Sequence, residues 1–184
     1  MLFRKTTKFI YSHKECLMIS KQDQVTRLPF VVSISDPKHM PCDYQDSILQ
    51  LIWYEFTKRL SRQYLLGQNL RVATAYHKEC IIGCCLLTWS FDDSCFYLES
   101  LCVKQHARNN GVGGKLIQIC KDHASQKNNA PIVLHVDKIN HDTGNPLPNY
   151  EQLVKYYQKF DFRIVRQDNE KDKLEVKMMW KNNK

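Results

Sequence analysis

No uninterrupted apolar run in this 184-residue chain approaches the ~18–20 residues needed to cross a bilayer. The N-terminus has no apolar core ending in a small-residue cleavage site, so no secretory leader is expected and a cytoplasmic location is. There is no Cys-x-x-Cys pair and no Cys or His spacing suited to zinc, so no metal site is assigned. No internal repeat is visible. Acidic residues are missing from Met1 to Lys14, where Arg4, Lys5, Lys8 and Lys14 stand. An organelle-targeting peptide would look like this, but a basic strand or frayed tail is the simpler expectation.

What is present fits one soluble domain. A chain of 184 residues with 43% hydrophobic content can bury one substantial core but not two ordinary ones. Eight cysteines show no disulfide framework. Cys84 and Cys85 are adjacent and would leave a strand on opposite faces, while Cys80, Cys95, Cys102 and Cys120 fall in apolar segments. Most are expected to be reduced and to pack as small hydrophobes. The formal charge of +8 favours anionic partners. Nucleic acid is not the expected one, because the basic residues cluster only at Arg4 to Lys14 and Lys171 to Lys184, without an aromatic platform.

The chemistry is concentrated in one stretch. The β-favouring run Tyr97-Leu98-Glu99-Ser100-Leu101-Cys102-Val103 is followed by Arg108-Asn109-Asn110-Gly111-Val112-Gly113-Gly114. This turn opens onto an amphipathic helix with apolar positions at Val112, Leu116, Ile119, Cys120 and Ala124. A strand that enters a helix through glycines makes an anion site. Gly111 and Gly113 are expected to let a phosphate approach the main chain, where the first helical N–H groups and the helix dipole point at it. A P-loop is excluded because Leu116 follows Lys115 where a magnesium-binding hydroxyl belongs. A dinucleotide fingerprint is excluded because its third glycine and its acidic ribose ligand are out of register.

Arg108-x-x-Gly111-x-Gly113 resembles the Arg/Gln-x-x-Gly-x-Gly/Ala motif with which the GNAT acetyltransferase superfamily binds acetyl-CoA after its fourth strand. Downstream, Tyr156-Tyr157-Gln158-Lys159-Phe160-Asp161-Phe162 is similar to that family's Phe-Tyr-x-Lys-x-Gly-Phe signature. Asp161 replaces the glycine, at a place expected to need a left-handed or turn conformation. The resemblance covers Leu70 to Trp180. It implies an α/β fold, a mixed, strongly twisted β-sheet flanked by helices on both faces, in a single domain of residues 29–184. Residues 1–28 are read as an N-terminal extension, with a strand at Phe9 to Tyr11 or Cys16 to Ile19. Residues 137–149 are read as a polar loop insertion containing Gly144, Pro146 and Pro148.

Periodicity gives the elements. A strand is expected over Phe30 to Ser35, a turn-rich link over Pro37 to Asp43 and a helix over Tyr44 to Leu66, with apolar positions Ile48, Leu51, Ile52, Phe56 and Leu60, ended by Gly67. Leu70 to Tyr76 and Cys80 to Phe91 form a hairpin, followed by a strand over Phe96 to Val103. A helix over Gly113 to Ser125, a strand over Pro131 to Val136 and a helix over Tyr150 to Phe160 come next. Strands at Phe162 to Arg166 and Leu174 to Trp180 close the chain.

The implied activity is transfer of an acetyl group from acetyl-CoA to a primary amine, of a small molecule in the first reading. The alternatives are a protein lysine or N-terminal acetyltransferase, and a coenzyme A-binding regulatory module without turnover. The partner is then an amine acceptor, the protein being a monomer or homodimer away from membranes and nucleic acid. An acceptor amine of lysine type has a reference pKa of ~10.4 and arrives protonated, so a base is required. Glu99 is the first candidate, and Asp92, Asp93 and His135 are weaker ones. Tyr157 matches the family's tyrosine that would protonate the departing thiolate, although Tyr150, Leu153, Val154 and Tyr157 also form a core-facing stripe. Leu101, Cys102 and Val103 would offer main-chain groups to the pantetheine arm. Arg108, Asn109, Asn110, Gly111, Val112, Gly113 and Gly114 would hold the phosphates.

Overall fold

The computed structural model describes residues 28–56, 60–67, 69–138, 147–165 and 175–182. Among these, the strands β1 (Val31–Ser35), β2 (Leu70–His77), β3 (Cys80–Ser90), β4 (Cys95–Val103), β5 (Ile132–Asp137), β6 (Arg163–Ile164) and β7 (Glu175–Trp180) form one sheet. Its order is β1-β2-β3-β4-β5-β7-β6. Every neighbouring pair is antiparallel except β4 and β5, which run parallel. A parallel pair needs a crossover, and α3 (Val112–Gln126) supplies it.

The sheet is covered on both faces because strand residues alternate between them. Cys84 and Cys85 show the division. Cys84 packs with Ile48, Leu51 and Ile52 of α1 (Cys42–Phe56) and Leu65 of α2 (Arg62–Leu65). Cys85 packs on the other face with Leu116, Ile117 and Cys120 of α3, joined by Val154 of α4 (Tyr150–Gln158). Each fully buried leucine or isoleucine in these layers contributes roughly 1.5–3 kcal/mol of hydrophobic stabilisation. Among the described cysteines none is in a disulfide, and Cys84, Cys85, Cys95, Cys102 and Cys120 are buried.

The long helix expected over Tyr44 to Leu66 is divided. α1 ends at Phe56, and Ser61 starts a new helix by accepting the Tyr64 N–H on its hydroxyl at 3.1 Å. The link before α1 contains a short 3-10 turn at Pro37–His39, capped by Asp36. The closing strand expected from Phe162 is only Arg163–Ile164. Both strands suggested for the N-terminal extension lie outside the described residues, as does 139–146 of the loop insertion. The ends of that loop are tied, because the Leu147 N–H donates to the Lys138 carbonyl at 2.7 Å.

Asp161 has a φ of 63°, the left-handed conformation expected where it replaces glycine. Its strain is offset locally. Lys121, only 8% exposed, brings its ammonium to Asp161 Oδ2 at 3.2 Å and to the Phe160 carbonyl at 3.1 Å, and lies 5.0 Å from the Trp180 ring centroid.

Candidate active site

β4 and β5 pair only at Phe96 with Ile132 and Tyr97 with Val133. Past those residues β4 continues to Val103 bonded to β3, while β5 continues to Asp137 bonded to β7. The separation begins beside a bulge: Leu86 pairs with Ser100 and Leu87 with Leu98, so Glu99 is the extra residue. A bulge bends its strand and increases the local twist. The product is a wedge-shaped slot at the carboxyl ends of two parallel strands, where open α/β sheets bind ligands.

The glycine turn stands at the mouth of this slot. β4 leaves through a 3-10 turn at Gln105–Ala107, anchored by the buried Ala107. The Arg108 Nε donates to the Val103 carbonyl at 3.0 Å and fixes the side chain against the end of β4. Asn110 braces the turn, with Nδ2 donating to the Arg108 carbonyl at 2.9 Å and Oδ1 accepting the Leu28 N–H at 3.3 Å. Asn109 and Gly111 are both left-handed, at φ 63° and 81°. The Lys115 N–H bonds to the Gly111 carbonyl, so the N–H groups of Val112, Gly113 and Gly114 precede the first helical bond. No acidic residue stands in this first turn, and the positive end of the helix dipole is uncompensated there.

The glycines themselves divide into two kinds. A Cβ on Gly111 would meet nothing within 4 Å, and glycine is needed there for its backbone conformation. A Cβ on Gly113 would stand 2.5 Å from the Tyr156 hydroxyl, and one on Gly114 would stand 2.9 Å from Phe160 Cζ. Gly113 was expected to make room for a phosphate. Its open side instead receives Tyr156 of α4, whose ring centroid lies 5.2 Å from that of Phe160 in the turn after α4, and the two rings rest on successive glycines. The N–H groups of these glycines remain without an intrahelical partner.

Tyr157, also on α4, is half-buried against the α3-side core. Burial, then the nearby Cys85, pushes its pKa well above the ordinary phenol value. It therefore keeps its proton through neutral pH. Leu101 and Val103 pack against the same core, and Cys102 is buried towards α1. Glu99 is exposed at the bulge, across from α2, where burial and then Glu99 raise the pKa of Tyr64. Tyr157 thus lies half-buried on the α3 side of the sheet, near Cys85, and Glu99 stands exposed at the β4 bulge.

Residues that sequence reasoning missed lie further along that rim. Tyr97 points to the face opposite Phe96 and Leu98, and its ring stacks on His135 of β5 at 6.2 Å and 18°. His135 Nδ1 lies 2.9 Å from Glu175 Oε1 of β7, and Tyr97 donates its hydroxyl to Asp93 Oδ2 at 2.9 Å. Burial and that hydrogen bond push the Tyr97 pKa up to about 12, while the hydroxyls of Ser90 and Tyr97 hold Asp93 below the usual carboxylate range. His135 and Asp93 were weaker sequence candidates. The available signal was the polar residue interrupting Ile132-Val133-Leu134-His135-Val136, but nothing local pairs it with Tyr97 or Glu175. Asp92 is exposed in the β3–β4 turn. Among the described residues no group of His, Cys, Asp and Glu is placed to hold a metal ion, and no helix is long and apolar enough to cross a membrane.

A sheet parted at its parallel pair, with a glycine turn opening a helix at the parting, defines an α/β protein with a candidate anion-binding site at a helix N-terminus. The sequence profile of the acetyltransferase (GNAT) family matches residues 37–162, and the chain belongs to that family. It is by that membership an acyltransferase of the N-acetyltransferase kind. Solved structures agree in fold. An aminoglycoside 6'-N-acetyltransferase complexed with coenzyme A is 15% identical with a TM-score of 0.67, covering 82% of this chain and 96% of that one. ElaA of Escherichia coli is 16% identical with a TM-score of 0.63, covering 82% and 99%. Naa50 of Arabidopsis thaliana, in complex with the bisubstrate analogue CoA-Ac-MVNAL, is 22% identical with a TM-score of 0.57, covering 81% and 97%. No curated protein matches the sequence.

Proposed function

We propose that the protein transfers an acetyl group from acetyl-CoA to a primary amine of a small molecule, acting in the cytoplasm as a monomer or homodimer. The observation that carries this reading is the parting of β4 from β5, with the N–H groups that open α3 at its mouth and Tyr157 half-buried on the α3 side of the sheet. The N–H groups of Val112, Gly113 and Gly114 and the guanidinium of Arg108 would hold the donor's phosphates. Open main-chain groups of Leu101 to Val103 would bond the pantetheine arm. The formal charge of +8 draws the anionic donor in.

Glu99 then removes the proton from the incoming amine, directly or through water, so that the free amine attacks the thioester carbon. The carbon–sulfur bond breaks, the electron pair leaves with sulfur, and the second proton of the attacking nitrogen passes through water to the departing thiolate. Tyr157 donates a hydrogen bond to that sulfur. A phenol held above its usual pKa surrenders its proton less readily than it donates a hydrogen bond, so Tyr157 serves mainly to stabilise the thiolate as it forms.

A peptide acceptor is the second reading. It is favoured by the rim along β5 and β7, where His135 is exposed and Tyr97 and Glu175 are half-buried. Thiol release from acetyl-CoA, measured against a panel of amines and of peptides with free N-termini or lysines, tests both readings. Release with simple amines supports the first, and release with peptides alone replaces it with the second. Coenzyme A binding without release on any acceptor would favour a regulatory module.

A further inference from the structure

We propose that Tyr156 is a donor-positioning residue, its hydroxyl supplying an additional hydrogen-bond donor to the phosphate end of acetyl-CoA. The inference rests on the proposed function and concerns a residue that reading leaves idle. Tyr156 stands where the Phe-Tyr-x-Lys-x-Gly-Phe pattern has phenylalanine, so this chain carries a hydroxyl that the pattern lacks.

The structure places that hydroxyl at the first turn of α3, on the open side of Gly113 and facing Val103 at the end of β4. Among the described residues nothing hydrogen-bonds it, although burial has displaced part of the water around it and, with Cys85, raised its pKa. A phenol that stays protonated can only donate to an anion. The N–H groups of Val112, Gly113 and Gly114 lie in the same turn and precede the first helical hydrogen bond. Donors from α3 and α4 therefore converge where the slot meets the turn. Glycine at 113 is what permits this, because any side chain would occupy the place of the hydroxyl.

Two consequences separate a bound phosphate from simple packing. Tyr156→Phe keeps the ring on Gly113 and Gly114 and removes only the donor. Coenzyme A affinity should fall about 10-fold, as expected for a hydrogen bond to a charged group, whereas affinity for pantetheine, which has no phosphate, should stay unchanged. Gly113→Ala should weaken coenzyme A binding more in the parent than in Tyr156→Phe, where the hydroxyl no longer competes for space.

Calorimetry with coenzyme A and NMR-detected titration with pantetheine, on the parent and both variants, test this. Loss confined to coenzyme A supports the proposal. Equal loss for both ligands makes Tyr156 a packing residue and overturns it. Unchanged coenzyme A binding in Tyr156→Phe also overturns it while leaving the acetyltransferase reading intact. A parent that binds no coenzyme A overturns both.

Discussion

At the proposed donor end most groups lie between Leu101 and Gly114, with Tyr156 of α4 laid across Gly113. At the acceptor end the groups come from four separate places: Tyr64 on α2, Glu99 and Tyr97 on β4, His135 on β5 and Glu175 on β7. The first end is packed and local, the second polar and assembled from distant segments. A packed end answers substitution by losing stability and ligand together. A polar rim answers by losing turnover while the fold survives.

The largest expected effect tests the exception to that division, since Tyr157 is packed yet chemical. Tyr157→Phe should lower turnover by about 10²-fold, within the range for a hydrogen-bond donor that stabilises a developing anion, while melting temperature and coenzyme A affinity hold. Lost stability with intact turnover would return Tyr157 to the core stripe of Tyr150, Leu153 and Val154.

Glu99→Gln comes next. It should leave the melting temperature unchanged and reduce turnover about 10- to 100-fold near neutral pH, less at high pH where free amine is abundant. A pH–rate profile superimposable on the parent's would remove Glu99 from the chemistry. On the packed side, Gly113→Val forces the Tyr156 hydroxyl aside and should cost about 1–3 kcal/mol in denaturant melts, as overpacking does. It should also weaken coenzyme A binding. Full stability in that variant would break the contrast between the two ends.

Smaller effects belong to the rim. Glu175→Gln removes the ion pair to a partly exposed His135 and should change stability by about 1 kcal/mol or less. Tyr97 titrates near pH 12 in the folded chain, above its unfolded value of about 10. Its raised pKa means the folded state holds the proton more tightly, so the associated stability is complete below pH 10 and disappears as pH rises through 12. Absorbance titration of the phenolate in the parent and in Tyr97→Phe checks the assignment.

The same contrast explains what the sequence disclosed. The glycine turn was legible because strand, glycines and helix are contiguous, and the left-handed Asp161 was legible because its neighbours identify the position. The Glu99 bulge was not, because strand register depends on which residues of β3 it meets. Nor could local pattern show that the body approaching Gly113 is Tyr156, forty-three positions away, rather than a ligand. The division of α1 from α2 turned on Ser61 capping a fresh helix, a weak signal inside a long amphipathic run.

The parting of β4 from β5 leaves Leu98 to Val103 without a strand partner on one side among the described residues, which makes a sheet edge there. Edges of that kind attract any extended chain that can bond to them, including another copy of the protein. An amide-bearing pantetheine arm would fill the edge as a short strand, binding only the folded form. Ligand at about 100 times its Kd then adds about 2.7 kcal/mol to stability. Protein purified and stored without coenzyme A should accordingly self-associate more readily than protein kept with it, and amide exchange along Leu98 to Val103 should slow most when the ligand is restored.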